Sequence, residues 1–116
     1  MAEIRVIDLV GPICVDPNDG AVLCLRARDA IRRGEQVTLN FAGVRALTSS
    51  FLNSAIGCLV GDFPSEMIQN NLFWCGLDKE DEQLVNLVLK NVQRFYAATP
   101  AAQEAIVAAS TAAVAD

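Results

Sequence analysis

The sequence predicts an α/β domain in which helices pack on a mixed or parallel central sheet. Predicted strands and helices alternate along the chain, which is typical of helices packed on one sheet. Hydrophobic residues make up 53% of the 116 residues and charged residues 20%, a composition typical of globular proteins. A chain of this length suits one domain with a core of its own.

Four segments predict strands because β-branched or apolar residues cluster or alternate within a few positions. Val37, Leu39 and Phe41 alternate with polar residues, and this segment is expected at the centre of the sheet. Gly11-Pro12 ends the first strand. The predicted strands cover residues 4–10, 13–15, 36–41 and 72–75.

The helices are predicted from apolar residues three and four positions apart. One covers residues 21–33 after a turn in which Asp19 could be the cap, although residues 22–25 would also suit a strand. A long helix begins after the N-cap residue Asp78. The core-facing stripe of another consists of Leu52, Ala55, Ile56, Leu59 and Val60, and residues 65–69 predict a helical turn.

Thr99-Pro100 stops the last helix and divides the chain. Residues 1–98 are the predicted domain, and residues 99–116 are an alanine-rich tail, expected as a loose helix or a frayed end.

The charge balance excludes several classes of partner. The formal net charge is -5, whereas proteins that bind nucleic acids or anionic membranes need a basic surface. No apolar run is long enough to span a bilayer. The first apolar run contains acidic and basic residues and does not resemble a signal peptide, so a cytoplasmic location is expected.

The residue types give little support to catalysis. The chain has no histidine, which removes serine–histidine and cysteine–histidine catalysis and the commonest metal ligand. Its four cysteines form no C-x-x-C pair and stand among apolar neighbours, a pattern that favours small buried hydrophobes over zinc ligands or disulfides. We therefore expect no catalytic residue, no metal and no cofactor. An enzyme using Cys or Ser would need a base that the sequence does not supply.

Three adjacent hydroxyls, those of Thr48, Ser49 and Ser50, precede the core-facing helix. One hydroxyl is enough to cap a helix, at a gain of about 1 kcal/mol. Helix starts also stabilise phosphate through free amides and a partial positive charge, so the cluster suits a phosphorylation site as well. A nucleophilic serine is disfavoured because the segment does not match G-x-S-x-G.

The segment that contains this cluster, residues 39–57, resembles the signature of the STAS-like domains of unknown function. These domains are related to the STAS fold of anti-sigma factor antagonists and sulphate-transporter tails. The close match covers residues 37–60, and a weaker one extends from Gly20. The resemblance implies a small STAS-like domain.

In antagonist STAS domains, a serine at this helix start is phosphorylated by an anti-sigma factor with a histidine-kinase-like ATPase fold. By position, the resemblance assigns that role to Ser49 and the following hydroxyl to Ser50. The sequence departs from the antagonist pattern at Thr48, where Asp is usual, and at Phe51, where Gly is usual. Asn40 replaces an Asp common in the STAS-like family.

The expected function is a non-enzymatic regulatory module that binds a partner protein, with Ser49 and Ser50 as candidate phosphorylation sites. The candidate partner-binding residues are Thr48, Phe51, Leu52 and Asn53. An exposed Phe51 ring would be an apolar anchor, and the alternative is that it packs into the core. In the alternative function, the hydroxyls only cap the helix and the apolar surface around Phe51 and Leu52 mediates homo- or hetero-association.

Overall fold

The computed structural model describes residues 2–97 as an α/β domain, which confirms the predicted fold class. The predicted tail, residues 99–116, lies outside the described residues. The strands are β1 (Ala2–Arg5), β2 (Ile13–Cys14), β3 (Val37–Asn40), β4 (Ala46–Leu47) and β5 (Leu72–Cys75). The helices are α1 (Val6–Val10), α2 (Pro17–Arg32), α3 (Ser49–Asp62), α4 (Ser65–Asn71) and α5 (Lys79–Ala97).

The main sheet has three parallel strands in the order β1-β3-β5. Val37 pairs with Ala2 on one side and with Leu72 on the other, so β3 is the central strand, as predicted. The short strands β2 and β4 form a separate parallel pair. The helix start that carries the hydroxyls therefore follows β4 of the small pair and does not follow the central strand directly.

Alternate residues of the main sheet face opposite sides. On β3, Val37 and Leu39 are buried in the core that the helices share, whereas Thr38 and Asn40 are only half-buried. On β5, Trp74 packs against the core and Phe73 is 40% exposed on the other side. Phe73 is exposed although its strand is apolar, because neighbouring strand positions face opposite ways.

Residues 6–10 form a helix, so the prediction of a strand over residues 4–10 is wrong for these five of its seven residues. The β-branched residues in this segment suggested a strand, but here they lie on a short helix, whose Val6 is fully buried against the core. Gly11 ends α1 at φ +90°, and its N–H donates to the Ile7 carbonyl at 3.0 Å. Only Gly adopts this backbone conformation readily.

Helices α2 and α3 lie side by side and run parallel. Three pairs show this: Gly20 lies against Phe51 and Ser54, Cys24 lies against Cys58, and Arg28 bonds to Asp62 at 3.0 Å. The last two pairs are each 34 residues apart, and Gly20 is also 34 residues before Ser54. Because successive pairs advance by one helical turn on both helices, one face of α2 meets one face of α3 along their length.

Helix α3 also packs against α5, which places it between two other helices. Its buried positions confirm the predicted stripe and add Phe51. At the end of this contact the Tyr96 ring lies against Gly61, where an added Cβ would stand 2.8 Å from the ring. None of the helices within residues 2–97 combines the length and apolar composition needed to cross a membrane.

Two glycines in helices test how tightly α2 and α3 pack. A methyl group at Gly20 would meet the Phe51 carbonyl oxygen and would lie 2.9 Å from the Ser54 Cβ, whereas Gly57 has open space around it. We expect Gly20→Ala to lower the free energy of unfolding by about 1–3 kcal/mol through overpacking. Gly57→Ala should raise it by about 0.5–1 kcal/mol through helix propensity. Urea unfolding of both variants measures the difference, and equal stabilisation by both would show that α2 and α3 do not meet at Gly20.

Candidate interaction site at the start of helix α3

Thr48 is the residue that begins α3. Its side-chain oxygen accepts a hydrogen bond from the Phe51 N–H at 3.3 Å, and its carbonyl accepts from the Leu52 N–H at 3.1 Å. Its own N–H donates to the Cys14 carbonyl at 3.1 Å, and its hydroxyl donates to the Val15 carbonyl at 3.5 Å. Thr48 is therefore the N-cap of α3 and also joins this helix to the end of β2.

Ser49 and Ser50 are the first two residues of α3, and both are exposed. Since Thr48 already provides the cap, neither serine hydroxyl is needed for that purpose. The N–H groups of the first helical residues, which include those of Ser49 and Ser50, have no partner within the helix. This arrangement leaves two serine oxygens accessible at the positive end of a helix.

The other three predicted contact residues divide between surface and core. Asn53 is exposed, one turn along α3 from the serines. Phe51 and Leu52 are each 0% exposed and belong to the core. The Phe51 ring is therefore not an exposed anchor, and the alternative, that it packs into the core, is what the structure shows. The surface at this helix start consists of the hydroxyls and Asn53 without the two apolar side chains.

The start of α2 lies next to the start of α3, a proximity that no sequence pattern predicted. Asp16 caps α2 by accepting from the Asn18 N–H at 2.8 Å, so the expectation that Asp19 is the cap is wrong. Asp16 directly follows Val15, whose carbonyl contacts Thr48. The signal was present in the sequence, since Asp followed by Pro17 is typical of an N-cap and the first helical residue.

The two neighbouring helix starts differ in charge. The first four residues of α3 are uncharged, whereas the first turn of α2 contains Asp19 and is capped by Asp16. A phosphate on Ser49 or Ser50 would be stabilised by the end of its own helix and repelled by these carboxylates. The start of α2, which adjoins the start of α3, is therefore acidic.

The four cysteines have three different environments. Cys14 is fully buried, and its Sγ lies 3.7 Å from the Gly11 carbonyl oxygen. Desolvation by burial, with a contribution from the charge of Asp19, raises the pKa of Cys14 to about 11. Its thiol stays protonated at neutral pH and is a poor nucleophile. Cys75 is exposed, so the expectation that every cysteine is a buried hydrophobe fails there.

Cys24 and Cys58 are joined by a disulfide between α2 and α3. The sequence pattern favoured buried thiols, and that interpretation is wrong for this pair. Residues 34 positions apart show no pairing signal in the sequence, and they meet only because the two helices run parallel in a fixed register. Within residues 2–97, no group of three or more Cys, Asp or Glu side chains is placed to hold a metal ion.

Comparison with protein families identifies the class to which this fold and site belong. The family model of the STAS-like domain of unknown function matches residues 19–82. The chain therefore belongs to the STAS-like domain family. The matched region runs from the first turn of α2 to the first turn of α5 and includes the whole of α3 with its serines. Comparisons with curated proteins and with solved structures found no match.

The three hydroxyls should differ in what they contribute to stability. Thr48→Ala removes the cap of α3, and we expect it to lower the free energy of unfolding by about 1 kcal/mol. Thr48→Ser retains a capping oxygen and should stay within about 0.5 kcal/mol of the wild type. Ser49→Ala and Ser50→Ala should also stay within about 0.5 kcal/mol, because both side chains are exposed. Chemical unfolding of the four variants checks this order, and a serine variant as unstable as Thr48→Ala would contradict it.

Cys14 gives the stability a dependence on alkaline pH. Its pKa is raised in the folded state, so the unfolded thiol ionises first and the folded protein loses stability as pH rises from about 9 to about 11. The loss should be on the order of 2 kcal/mol. Urea unfolding at several pH values measures it, with Cys14→Ala as the control whose stability should fall less over this range. Parallel curves for the two proteins would show that Cys14 ionises equally in both states.

Proposed function

We propose that this STAS-like domain is a non-enzymatic regulatory module that binds a partner protein at the start of α3. Phosphorylation of Ser49 or Ser50 controls that binding. The observation that carries the proposal is that neighbouring hydroxyls differ in their role. Thr48 makes the capping hydrogen bond, whereas Ser49 and Ser50 are exposed at the same helix end. Membership of the STAS-like family supports a regulatory role.

Without phosphate, the surface at the start of α3 presents uncharged hydrogen-bonding groups, namely the two serine hydroxyls and the amide of Asn53. A phosphate adds about 1.5 to 2 negative charges at neutral pH. Removing that charge from water in an interface is unfavourable, and the carboxylates of Asp16 and Asp19 increase the cost. The isolated domain keeps its fold because the helix end stabilises the phosphate. Phosphorylation therefore acts on binding and spares folding.

The resemblance to anti-sigma factor antagonists suggests the class of the partner. In those proteins the partner and kinase are the same molecule, an anti-sigma factor with a histidine-kinase-like ATPase fold. We propose a partner of that class for this chain. An ATPase that holds the serine near its nucleotide explains how one surface serves both for binding and as a substrate.

A binding module without phosphorylation is the second candidate. Thr48 stands where antagonists usually have Asp, and the buried Phe51 stands where they usually have Gly. Both departures alter the segment that a kinase would contact. Because Phe51 is in the core, an apolar contact in this second candidate would involve other side chains. Val15, which is 41% exposed beside Thr48, is one that the structure provides.

Binding by charge variants distinguishes the two candidates. The tagged chain captures proteins from cells that naturally express it, as wild type and with Ser49→Asp, Ser50→Asp or the matching alanines. Ser65→Asp is the matched control because Ser65 is also an exposed first residue of a helix. We expect an aspartate at 49 or 50 to reduce recovery of the partner at least tenfold, a change of about 1.4 kcal/mol. The alanine variants and Ser65→Asp should bind like wild type, and circular dichroism should show all of them folded.

Phosphopeptide mass spectrometry of the native protein completes the test. Phosphate on Ser49 or Ser50 supports the switch. Equal binding by every variant, with both serines unmodified across growth conditions, would contradict it and favour the second candidate.

A further inference from the structure

The parallel register of α2 and α3 places two thiol side chains opposite each other. Cys24 and Cys58 have Cα atoms 6.4 Å apart, a separation at which a disulfide forms without backbone movement. They occupy the middle of three successive contact levels, between Gly20 with Ser54 and Arg28 with Asp62. Contacts above and below hold the backbone at this separation, so the two sulfurs remain close when they are reduced.

The two sulfurs differ in access to solvent. Cys24 is 1% exposed, whereas Cys58 is half-buried on the side of α3 that reaches the surface. Within this pair, an oxidant in solution therefore reaches Cys58 before Cys24. Cys24 is placed to attack the oxidised sulfur from within the domain. An accessible thiol beside a resolving thiol is the usual arrangement of a redox-sensitive pair.

We propose that Cys24 and Cys58 are a reversible thiol–disulfide modification site that responds to peroxide. The Cys58 thiolate attacks one peroxide oxygen, so that an S–O bond forms, the O–O bond breaks and hydroxide leaves. The Cys24 thiolate then attacks the Cys58 sulfur, so that the S–S bond forms and the S–O bond breaks. The two departing hydroxides take up the two thiol protons as water. Two thiols of the glutathione class then restore the Cys24 and Cys58 thiols by exchange through a mixed disulfide, and the two are themselves oxidised to a disulfide.

The cross-link acts on the same helix that begins with Ser49 and Ser50. It ties α3 to α2 two turns along from the helix starts, closing a loop of 34 residues. Such a link raises the free energy of unfolding because it lowers the conformational entropy of the unfolded chain. It also fixes the spacing between Asp16 and Thr48, which cap the two helices. The proposal does not depend on phosphorylation of either serine.

The remaining cysteines serve as internal controls. Cys14 is fully buried against the Gly11 carbonyl, and Cys75 lies on β5 in the main sheet. Neither belongs to α2 or α3. If oxidation depends on two neighbouring thiols, Cys14 and Cys75 should remain reduced. Non-selective oxidation should instead begin at the exposed Cys75.

The experiment treats the full chain with hydrogen peroxide or with dithiothreitol, alkylates it after denaturation, and maps the cysteines by mass spectrometry. After peroxide we expect Cys24 and Cys58 to be linked within one chain, and after dithiothreitol all four cysteines to be alkylated. The oxidised chain should melt about 10 °C or more above the reduced chain. Cys58→Ser should lose this difference, and Cys75→Ser should keep it.

Two trapping variants test which thiol reacts first. In Cys24→Ser, dimedone should label Cys58 as a sulfenic acid, whereas in Cys58→Ser it should leave Cys24 unlabelled. Circular dichroism checks that each variant is folded. If a variant does not fold, the comparison of wild-type protein with and without dithiothreitol still tests the proposal. Recovery of four alkylated cysteines after peroxide, or a cross-link between chains through Cys75, would overturn the proposal.

Discussion

The fixed register between α2 and α3 is the constraint on which the rest of the structure depends. Gly20 permits it, because only a residue without a side chain lets α2 approach the backbone of α3 at Phe51. The same register brings Cys24 to Cys58 and Arg28 to Asp62. The ion pair is half-exposed and adds little by itself. The close backbone contact and the buried apolar side chains around it therefore set the geometry.

This register also determines where the candidate site lies. Two parallel helices in register have their starts at the same end, so the cap of α2 and the cap of α3 are neighbours. Thr48 links both to β2 through the carbonyls of Cys14 and Val15. The serines are thus presented from a junction held by several backbone contacts. A site on such a junction keeps its shape better than a site on a free loop.

Most of the fold could be predicted from the sequence, because most residue patterns fitted only one type of secondary structure. The alternation of Val37, Leu39 and Phe41 predicted the central strand, and the spacing of the apolar residues predicted α3. Residues 6–10 were misassigned because β-branched residues also fill the buried side of a short helix. Short apolar segments do not distinguish these two uses.

The site was predicted less completely, because the outcome depended on tertiary contacts. The sequence placed three hydroxyls at a helix start, and the structure was needed to show that Thr48 alone caps it. The direction of the Phe51 ring depends on how α3 rolls against α2, which the order of residues does not state. The pairing of Cys24 with Cys58 depends on the same contact and has no local signal.

The spacing of the parallel strands has a consequence for how the chain folds. Ala2 pairs with Val37, and Val37 pairs with Leu72, so the paired residues of neighbouring strands are 35 positions apart in the sequence. No hairpin is available among these three strands to begin the sheet, since all three are parallel. Each pairing must first overcome the entropy of closing a long loop. Folding of this domain is therefore governed by non-local contacts, and its rate should lie below that of helical bundles of the same size.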